Sequence, residues 1–327
     1  MEICANSSPK TSLNESEIAV AGAFAGGLTR ALCQPFDVLK IRFQLQSAGR
    51  KYTSISQALY NITKEEGVAA LWKGHVPAQT LSISFGLLQF STWEYISKIC
   101  KNYEDIILGK EIVSFGAGAT SGVVATVCTF PFDVIRTRLV AQTHTDKTYE
   151  GFLHAIRFIY KHEGISTFYK GLTPTLIQAV PYAGSQFMFY RLFSEIYDKW
   201  FEKIVPDQHV FQEQLNITLS KSVVSGSLAG LCAKIVVYPL DLAKKRMQIQ
   251  GMREWIFKKH KFVCRGLVSC IIQTTKNEGF TGLYKGLLVS SIKAFVVSGL
   301  QFTFYDVTCL LINISKTGLS YNFFLLL

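Results

Sequence analysis

The feature that most constrains this chain is a motif that occurs three times. Pro-x-Asp-x-x-Lys/Arg-x-Arg begins at Pro35, Pro131 and Pro239, so successive copies lie 96 and 108 residues apart. Each copy is followed by Glu-Gly and then by aromatic-Lys-Gly, which ends at Gly74, Gly171 and Gly286. The Glu-Gly and aromatic-Lys-Gly motifs keep the same spacing to each other in all three places, and a GxxxG pair ends nine residues before each proline. These constant spacings predict three copies of one unit of about 100 residues.

Each unit contains two apolar segments that are long enough to cross a membrane. Residues 74–93, 112–132 and 171–190 each run about 20 residues without Asp, Glu, Lys or Arg. The other three segments, 17–44, 219–248 and 287–312, are also long but include charged residues. The sequence therefore predicts an all-α membrane protein, with six transmembrane helices in three pseudo-symmetric repeats around a central cavity.

The predicted organisation is an N-terminal tail, three repeats and a C-terminal tail, with boundaries 1–16, 17–106, 107–212, 213–314 and 315–327. A GxxxG pair precedes each motif proline, and such pairs are expected to let helices pack closely in lipid. The pairs are Gly22/Gly26, Gly118/Gly122 and Gly226/Gly230.

A short amphipathic stretch lies between the two spans of each unit. Apolar residues follow Ile55, Phe152 and Leu267 at i+3 and i+4, which predicts three short surface helices. The loops that contain them, at 40–74, 136–170 and 244–285, hold 22 of the 34 Lys and Arg residues. Because basic loops remain on the more negative side of a membrane, these loops are expected on that side and both termini on the other.

Composition and motifs exclude several classes of protein. A net charge of +11 fits nucleic acid, an anionic membrane or an anionic small substrate, but the basic residues concentrate in membrane-flanking loops, which argues against nucleic acid. The His and Cys residues show no metal-binding spacing, and P-loop, GxSxG and HExxH motifs are missing. We therefore expect no enzyme activity and no metal or cofactor. A soluble α-solenoid would need shorter helices with charged faces.

The three motifs also predict a gate. A proline inside a helix removes a hydrogen bond and kinks the helix, so Pro35, Pro131 and Pro239 are expected to be kinks. The acids and bases of the motifs can pair between repeats: Asp37 with Arg136, Asp133 with Lys244, and Asp241 with Lys40. Each hydrated pair contributes under about 1 kcal/mol, so substrate binding could open the ring. Gln44 and Gln248 lie where an amide could support a pair.

Three copies of Pro-x-Asp-x-x-Lys/Arg-x-Arg, each with Glu-Gly and aromatic-Lys-Gly, resemble the mitochondrial carrier family over residues 17–312. The resemblance implies a monomeric carrier in the mitochondrial inner membrane, alternating access and no cleaved presequence. It also implies that the basic loops face the matrix, that both termini face the intermembrane space and that cardiolipin contacts the protein. A carrier-fold scaffold without transport activity is an alternative, but the gate residues are intact in all three repeats.

The substrate site is expected where the three-fold symmetry is broken. Positions five residues before the motif prolines hold Arg30, Thr126 and Lys234, and the matching positions on the partner helices hold Leu81, Gln178 and Lys293. Cations at membrane depth suggest function, and Arg and Lys both bind phosphate. The sequence predicts a di- or polyanion bound by Arg30, Lys234 and Lys293, with polar contacts from Gln178, Thr126 and Gln79.

Four further segments, 35–46, 72–79, 181–184 and 238–242, resemble the branch of the family that carries thiamine pyrophosphate. This resemblance implies uptake of thiamine pyrophosphate into the matrix, with nucleotides as possible counter-substrates. The cations alone do not separate this substrate from ADP or ATP, a deoxynucleotide or coenzyme A, because all of these carry the same phosphate chemistry.

Overall fold

The computed structural model describes residues 15–46, 52–100, 109–143, 148–202, 211–252, 264 and 266–317. Six long helices occur in this part of the chain: α1 Glu15–Leu45, α3 His75–Cys100, α4 Gly109–Ala141, α6 Leu172–Glu202, α7 Phe211–Gln248 and α9 Leu287–Thr317. In each repeat a shorter helix lies between the two long ones: α2 Ile55–Glu66, α5 Phe152–Glu163 and α8 Leu267–Glu278. The predicted all-α, three-repeat architecture is confirmed, whereas the predicted tails lie almost entirely outside the described residues.

The three short helices follow the predicted amphipathic pattern. Each buries one small side chain and a second residue one turn later: Ala58 and Ile62 in α2, Ala155 and Ile159 in α5, Cys270 and Thr274 in α8. Each helix ends at the Gly of the Glu-Gly pair, where φ lies between 77° and 83°. Only Gly adopts this backbone conformation without strain. A short 3₁₀ turn then leads from this glycine to the Lys-Gly that begins the next long helix.

Three described segments are long and apolar enough to cross a membrane by length and composition: Val113–Ala141, Val223–Gln248 and Phe280–Cys309. They correspond to one span in the second repeat and both spans in the third.

The described residues form two units. One contains residues 15–37 and 289–317, and the other contains residues 38–288. In the first unit a Cβ added to Gly26 would lie 3.8 Å from Gln301 Nε2, so α1 and α9 approach each other there. The other five glycines of the GxxxG pairs would place a Cβ in open space. The expected close packing of helices at these five glycines therefore stays a prediction, because no described atom lies within 4 Å of a Cβ built there.

Candidate functional site

The three motif prolines lie inside continuous helices. Pro35 is within α1, Pro131 within α4 and Pro239 within α7. Each long helix therefore runs past its proline and carries the motif acid and base on the following turns. The predicted kinks remain a prediction, since a continuous helix is compatible with a small or a large bend.

The first and third repeats are joined by an ion pair between motif residues. Lys40 Nζ lies 2.7 Å from Asp241 Oδ2. Gln44 Nε2 donates to the same carboxylate oxygen at 3.2 Å and to the Tyr238 hydroxyl at 3.2 Å. Gln44 therefore occupies the supporting position that the sequence predicted. Tyr238 is an addition, and its hydroxyl donates to the Lys285 carbonyl at 2.8 Å.

The second and third repeats are joined by a pair with more contacts. Lys244 Nζ lies 2.9 Å from Asp133 Oδ2, and Gln248 Nε2 donates to this oxygen at 2.8 Å. Lys245 Nζ lies 2.9 Å from the other oxygen, Asp133 Oδ1, and also donates to Thr137 Oγ1 and to Gln248 Oε1. Sequence reasoning missed Lys245. The signal was available, because the equivalent positions in the other repeats hold Ile41 and Thr137.

Asp37 is placed differently from the sequence expectation. Its Oδ1 lies 2.5 Å from Lys293 Nζ, within the unit of residues 15–37 and 289–317. From the sequence, Lys293 was expected to bind the substrate, and Asp37 was expected to pair with Arg136. Lys293 instead reaches the gate acid because a lysine side chain spans more than one helical turn. Arg136 belongs to the other unit, and its pairing with Asp37 stays a prediction.

The ion pairs are less hydrated than expected. The side chains of Lys40 and Asp241 are each 17% exposed, and those of Lys244 and Asp133 are 15% and 12% exposed. The expectation of hydrated, weakly coupled pairs is therefore wrong for these two links. In a partly buried pair, removing one partner leaves a charge that water cannot fully solvate, so each link is harder to break.

A second set of ion pairs gives the Glu-Gly and aromatic-Lys-Gly motifs a role that sequence reasoning had not assigned. In each repeat the last Arg of the proline motif contacts the Glu of the Glu-Gly pair. The contacts are Arg42 with Glu66 at 2.6 Å, Arg138 with Glu163 at 2.7 Å and Arg246 with Glu278 at 2.8 Å. The Lys of Lys-Gly joins two of them: Lys73 lies 2.5 Å from Glu66, and Lys285 lies 2.6 Å from Glu278.

The same arginines connect each repeat to the next. Arg42 Nε donates to the Val140 carbonyl at 3.3 Å, and Arg138 Nε donates to the Gln248 carbonyl at 3.0 Å. Arg246 Nε donates to the Gln44 carbonyl at 3.3 Å. The contacts thus run from the first repeat to the second, from the second to the third and from the third to the first.

Three glycines make the close approach of neighbouring helices possible. A Cβ at Gly74 would lie 3.1 Å from the Arg136 carbonyl oxygen, one at Gly171 3.1 Å from that of Lys244, and one at Gly286 3.2 Å from that of Lys40. Their φ angles of 75°, 92° and 83° also favour glycine. The glycine of each Lys-Gly pair therefore packs on the backbone of the gate base in the next repeat.

Two of the three glutamates of the Glu-Gly pairs, Glu66 and Glu278, have a lowered pKa. Burial alone would raise the pKa of Glu66, but hydrogen bonds from Arg42 and Lys73 outweigh it, so the pKa lies below its ordinary value. Burial likewise opposes the effect of Arg246 and Lys285 on Glu278, and the pKa of Glu278 is again lowered. Both carboxylates are therefore charged at neutral pH and hold their cations.

The predicted substrate residues fall into both units. Arg30 and Lys293 belong to the first, whereas Gln79, Thr126, Gln178 and Lys234 belong to the second, so their convergence stays a prediction. Thr126 Oγ1 donates to the Gly122 carbonyl of its own helix at 2.7 Å. Among the described residues, Gln178 Oε1 is buried without a hydrogen-bond partner, which leaves an acceptor for a ligand donor.

Three helical repeats, apolar spans and inter-repeat ion pairs at helix-internal prolines define a membrane carrier built from one repeated unit. The profile of the family "mitochondrial carrier protein" matches residues 13–104, 110–199 and 216–315. The chain belongs to the mitochondrial carrier family, as its motifs had indicated. It is therefore a transporter of the mitochondrial inner membrane.

The similar proteins share one name or a close variant of it. A human protein named mitochondrial thiamine pyrophosphate carrier is 40% identical over 303 residues, which cover 90% of this chain and 91% of the relative. A Neurospora crassa protein, mitochondrial thiamine pyrophosphate carrier 1, is 32% identical over 89% of this chain and 90% of its own length. A Zea mays protein, mitochondrial thiamine diphosphate carrier 2, is 32% identical over 88% and 91%.

Proposed function

We propose that this carrier moves thiamine pyrophosphate into the mitochondrial matrix in exchange for nucleotides, by alternating access. Relatives that are 32–40% identical over about nine tenths of the chain carry the name of this substrate. Three cations, Arg30, Lys234 and Lys293, match a diphosphate in charge.

The observation that best supports the mechanism is the ion pair between Lys293 and Asp37, at 2.5 Å. A diphosphate that binds Lys293 competes with the carboxylate of Asp37 for the same ammonium group. Asp37 is also the motif acid of the first repeat, so phosphate binding and the release of a gate acid become one event. The binding free energy of the substrate can then offset the cost of separating the gate pairs, as alternating access requires.

The gate is proposed to consist of Asp37, Lys40, Asp133, Arg136, Asp241 and Lys244, supported by Gln44 and Gln248. The loops that contain 22 of the 34 basic residues support a matrix location for this end of the helices, with both termini in the intermembrane space. These basic loops also favour contact with anionic lipid such as cardiolipin. We propose that the carrier works as a monomer, because each repeat finds its ion-pair partners within the same chain.

A second candidate is a carrier of another phosphorylated anion, such as ADP or ATP, a deoxynucleotide or coenzyme A. It is favoured by the phosphate character of the three cations, which recognise a diphosphate and not the thiazolium ring. Purified carrier in liposomes separates the two: labelled thiamine pyrophosphate is added outside vesicles that contain thiamine pyrophosphate, ADP, a deoxynucleotide, coenzyme A or no counter-substrate.

We expect uptake in vesicles that contain thiamine pyrophosphate or a nucleotide, and little uptake in empty vesicles. In a parallel assay with labelled ADP outside the vesicles, uptake of ADP without uptake of thiamine pyrophosphate would favour the second candidate function. Lys293→Ala should abolish uptake in folded protein, because it removes both the phosphate contact and the partner of Asp37. Lys98→Ala is the matched control, since Lys98 is exposed and its ion pair within the described residues is with Glu94 of the same helix. Equal loss in both variants would refute the assignment of Lys293.

A further inference from the structure

The third repeat departs from the other two at a pair of cysteines. Counted back from the Lys-Gly glycine, Cys264 occupies the position of Tyr52 and Tyr149. Cys270 occupies the position of Ala58 and Ala155. No role in the gate or the substrate site requires a thiol at either position, so the pair needs its own explanation.

The two cysteines are joined in the structure. Their sulfur atoms form a disulfide with Cα atoms 4.5 Å apart. Cys264 is 3% and Cys270 is 0% exposed, and both belong to an apolar cluster with Ala243. Ala243 directly precedes the gate residue Lys244, and Met247 of the same helix also packs on the cluster. The disulfide therefore joins the start of α8 to Cys264, which shares an apolar cluster with Ala243 of α7 beside the gate.

In the other repeats the equivalent segment is held by hydrogen bonds. Gln46 and Tyr52 exchange two of them, Gln46 Nε2 to the Tyr52 carbonyl at 3.2 Å and Tyr52 N to Gln46 Oε1 at 3.1 Å. Gln142 and Tyr149 make the same two bonds at 2.9 Å. Arg138 also donates to the Tyr149 hydroxyl at 3.2 Å.

The third repeat has lost the tyrosine hydroxyl. The equivalent arginine, Arg246, donates from Nη1 to Thr274 Oγ1 in α8 at 3.0 Å. The described contacts between α8 and α7 in this repeat are therefore those of Arg246 and of the apolar cluster around Ala243, and the disulfide fixes Cys264, a member of that cluster, to α8. Unlike a tyrosine hydrogen bond, a disulfide can be broken and remade by a redox reaction.

We propose that Cys264 and Cys270 form a reversible redox site. A peroxide oxidises the two thiols to the disulfide, and the disulfide slows transport. One cysteine thiol loses its proton, and the resulting thiolate attacks hydrogen peroxide and becomes a sulfenic acid. The peroxide bond breaks, and the departing hydroxide takes up that proton and leaves as water. The second thiol attacks the sulfenic sulfur, the S–S bond forms and a second water leaves. Two thiols and one peroxide thus give one disulfide and two waters, and a dithiol reductant reverses the reaction.

The disulfide should slow transport because α8 also carries Glu278. The Glu278 carboxylate contacts both Arg246 and Lys285, and Arg246 contacts the Gln44 carbonyl of the first repeat. A tether at the start of α8 restrains this group of contacts while the gate changes state. The predicted effect on the transport rate rests on the proposed function, whereas formation of the disulfide does not.

The test uses the full-length carrier in liposomes, reduced with dithiothreitol and then treated with hydrogen peroxide. Free thiols are alkylated, and the peptides that contain Cys264 and Cys270 are identified by mass spectrometry. We expect a crosslink between them with the loss of two hydrogens, a fall in exchange rate of at least about twofold, and recovery of the rate with dithiothreitol. Absence of the crosslink overturns the site even if the carrier transports normally.

The control is Cys264→Tyr with Cys270→Ala, which restores the residues of the other repeats and keeps the remaining six cysteines. Its transport should not respond to peroxide. The single variants Cys264→Ser and Cys270→Ser, which change one atom each, should also be insensitive and serve if the double variant does not fold. A peroxide effect of the same size in these variants assigns it to other thiols and refutes the proposal. No uptake by the reduced wild type refutes the substrate and leaves the crosslink result intact.

Discussion

The gate pairs should differ in strength, because Asp133 has two lysine partners and Asp241 has one among the described residues. Lys40→Met removes the ammonium that lies 2.7 Å from Asp241 and leaves the carboxylate with the Gln44 amide. Lys244→Met leaves Lys245 at 2.9 Å from Asp133 and Gln248 at 2.8 Å. Methionine preserves most of the apolar stem of lysine, so the charge is the main change.

The two substitutions should therefore differ several-fold in cost. Removing one partner of a buried pair costs about 3–5 kcal/mol, and since Asp241 is 17% exposed we take the lower end, about 3 kcal/mol, for Lys40→Met. A pair that keeps a second cation should lose about 1 kcal/mol. At about 2–4 °C per kcal/mol, the Tm should fall by about 6–12 °C for Lys40→Met and about 2–4 °C for Lys244→Met.

Thermal unfolding of the detergent-purified carrier measures the difference. In the double variant Lys244→Met with Lys245→Thr, the threonine is the residue that the second repeat has at this position. The Tm of this double variant should fall by about as much as that of Lys40→Met. Equal decreases for the two single variants would show that Lys245 does not compensate for Lys244. A double variant no worse than Lys244→Met would refute the same reasoning.

Three further predictions concern other parts of the site. Gly171→Ala should lower the Tm while Gly184→Ala should not, because a Cβ at Gly171 would lie 3.1 Å from the Lys244 carbonyl oxygen with φ at 92°, whereas at Gly184 it meets open space. The pKa of Glu66 is lowered in the folded protein, so its ion pairs stabilise the protein fully at a pH above the ordinary value of 4.5, and this stabilisation is lost as the pH falls through the lower folded pKa. The difference in Tm between wild type and Glu66→Gln should therefore be largest at pH 7 and become smaller as the pH falls below 4.5. A difference that stays constant with pH would contradict this. Gln178→Ala should raise the KM for the substrate and change the Tm little, because the buried Gln178 Oε1 has no hydrogen-bond partner among the described residues.

Much of the architecture could be predicted because it is repeated. The offsets of Pro35, Pro131 and Pro239 indicated three units, and the partners Lys40–Asp241 and Lys244–Asp133 followed from moving one repeat onto the next. Symmetry is a strong guide when one arrangement must satisfy three positions at once. The same argument supplied Gln44 and Gln248 as supporting amides.

The features that were missed are those that depend on side-chain reach or on departures from symmetry. Lys293 reaches Asp37 because a lysine side chain is long, and sequence position gives only the place of its Cα. Lys245 and the Cys264–Cys270 disulfide occur in the third repeat only, so moving one repeat onto another removes them from view. The Arg42–Glu66 pair was missed for another reason: both residues were noticed, but in two motifs whose distance apart in the fold was unknown.

The contacts of Arg246 with Gln44, and of Gly286 with Lys40, have a consequence for how the chain is made. The first and third repeats contact each other although they are synthesised at opposite ends of the chain. The carbonyl groups of Gln44 and Lys40 can therefore make these contacts only after the third repeat has been synthesised. A nascent chain that stops after the second repeat has one completed seam, between the first and second repeats, and two unmatched faces. A circular permutant that begins at the second repeat keeps the cyclic order of the repeats, so each of these contacts still has both of its partners in one chain.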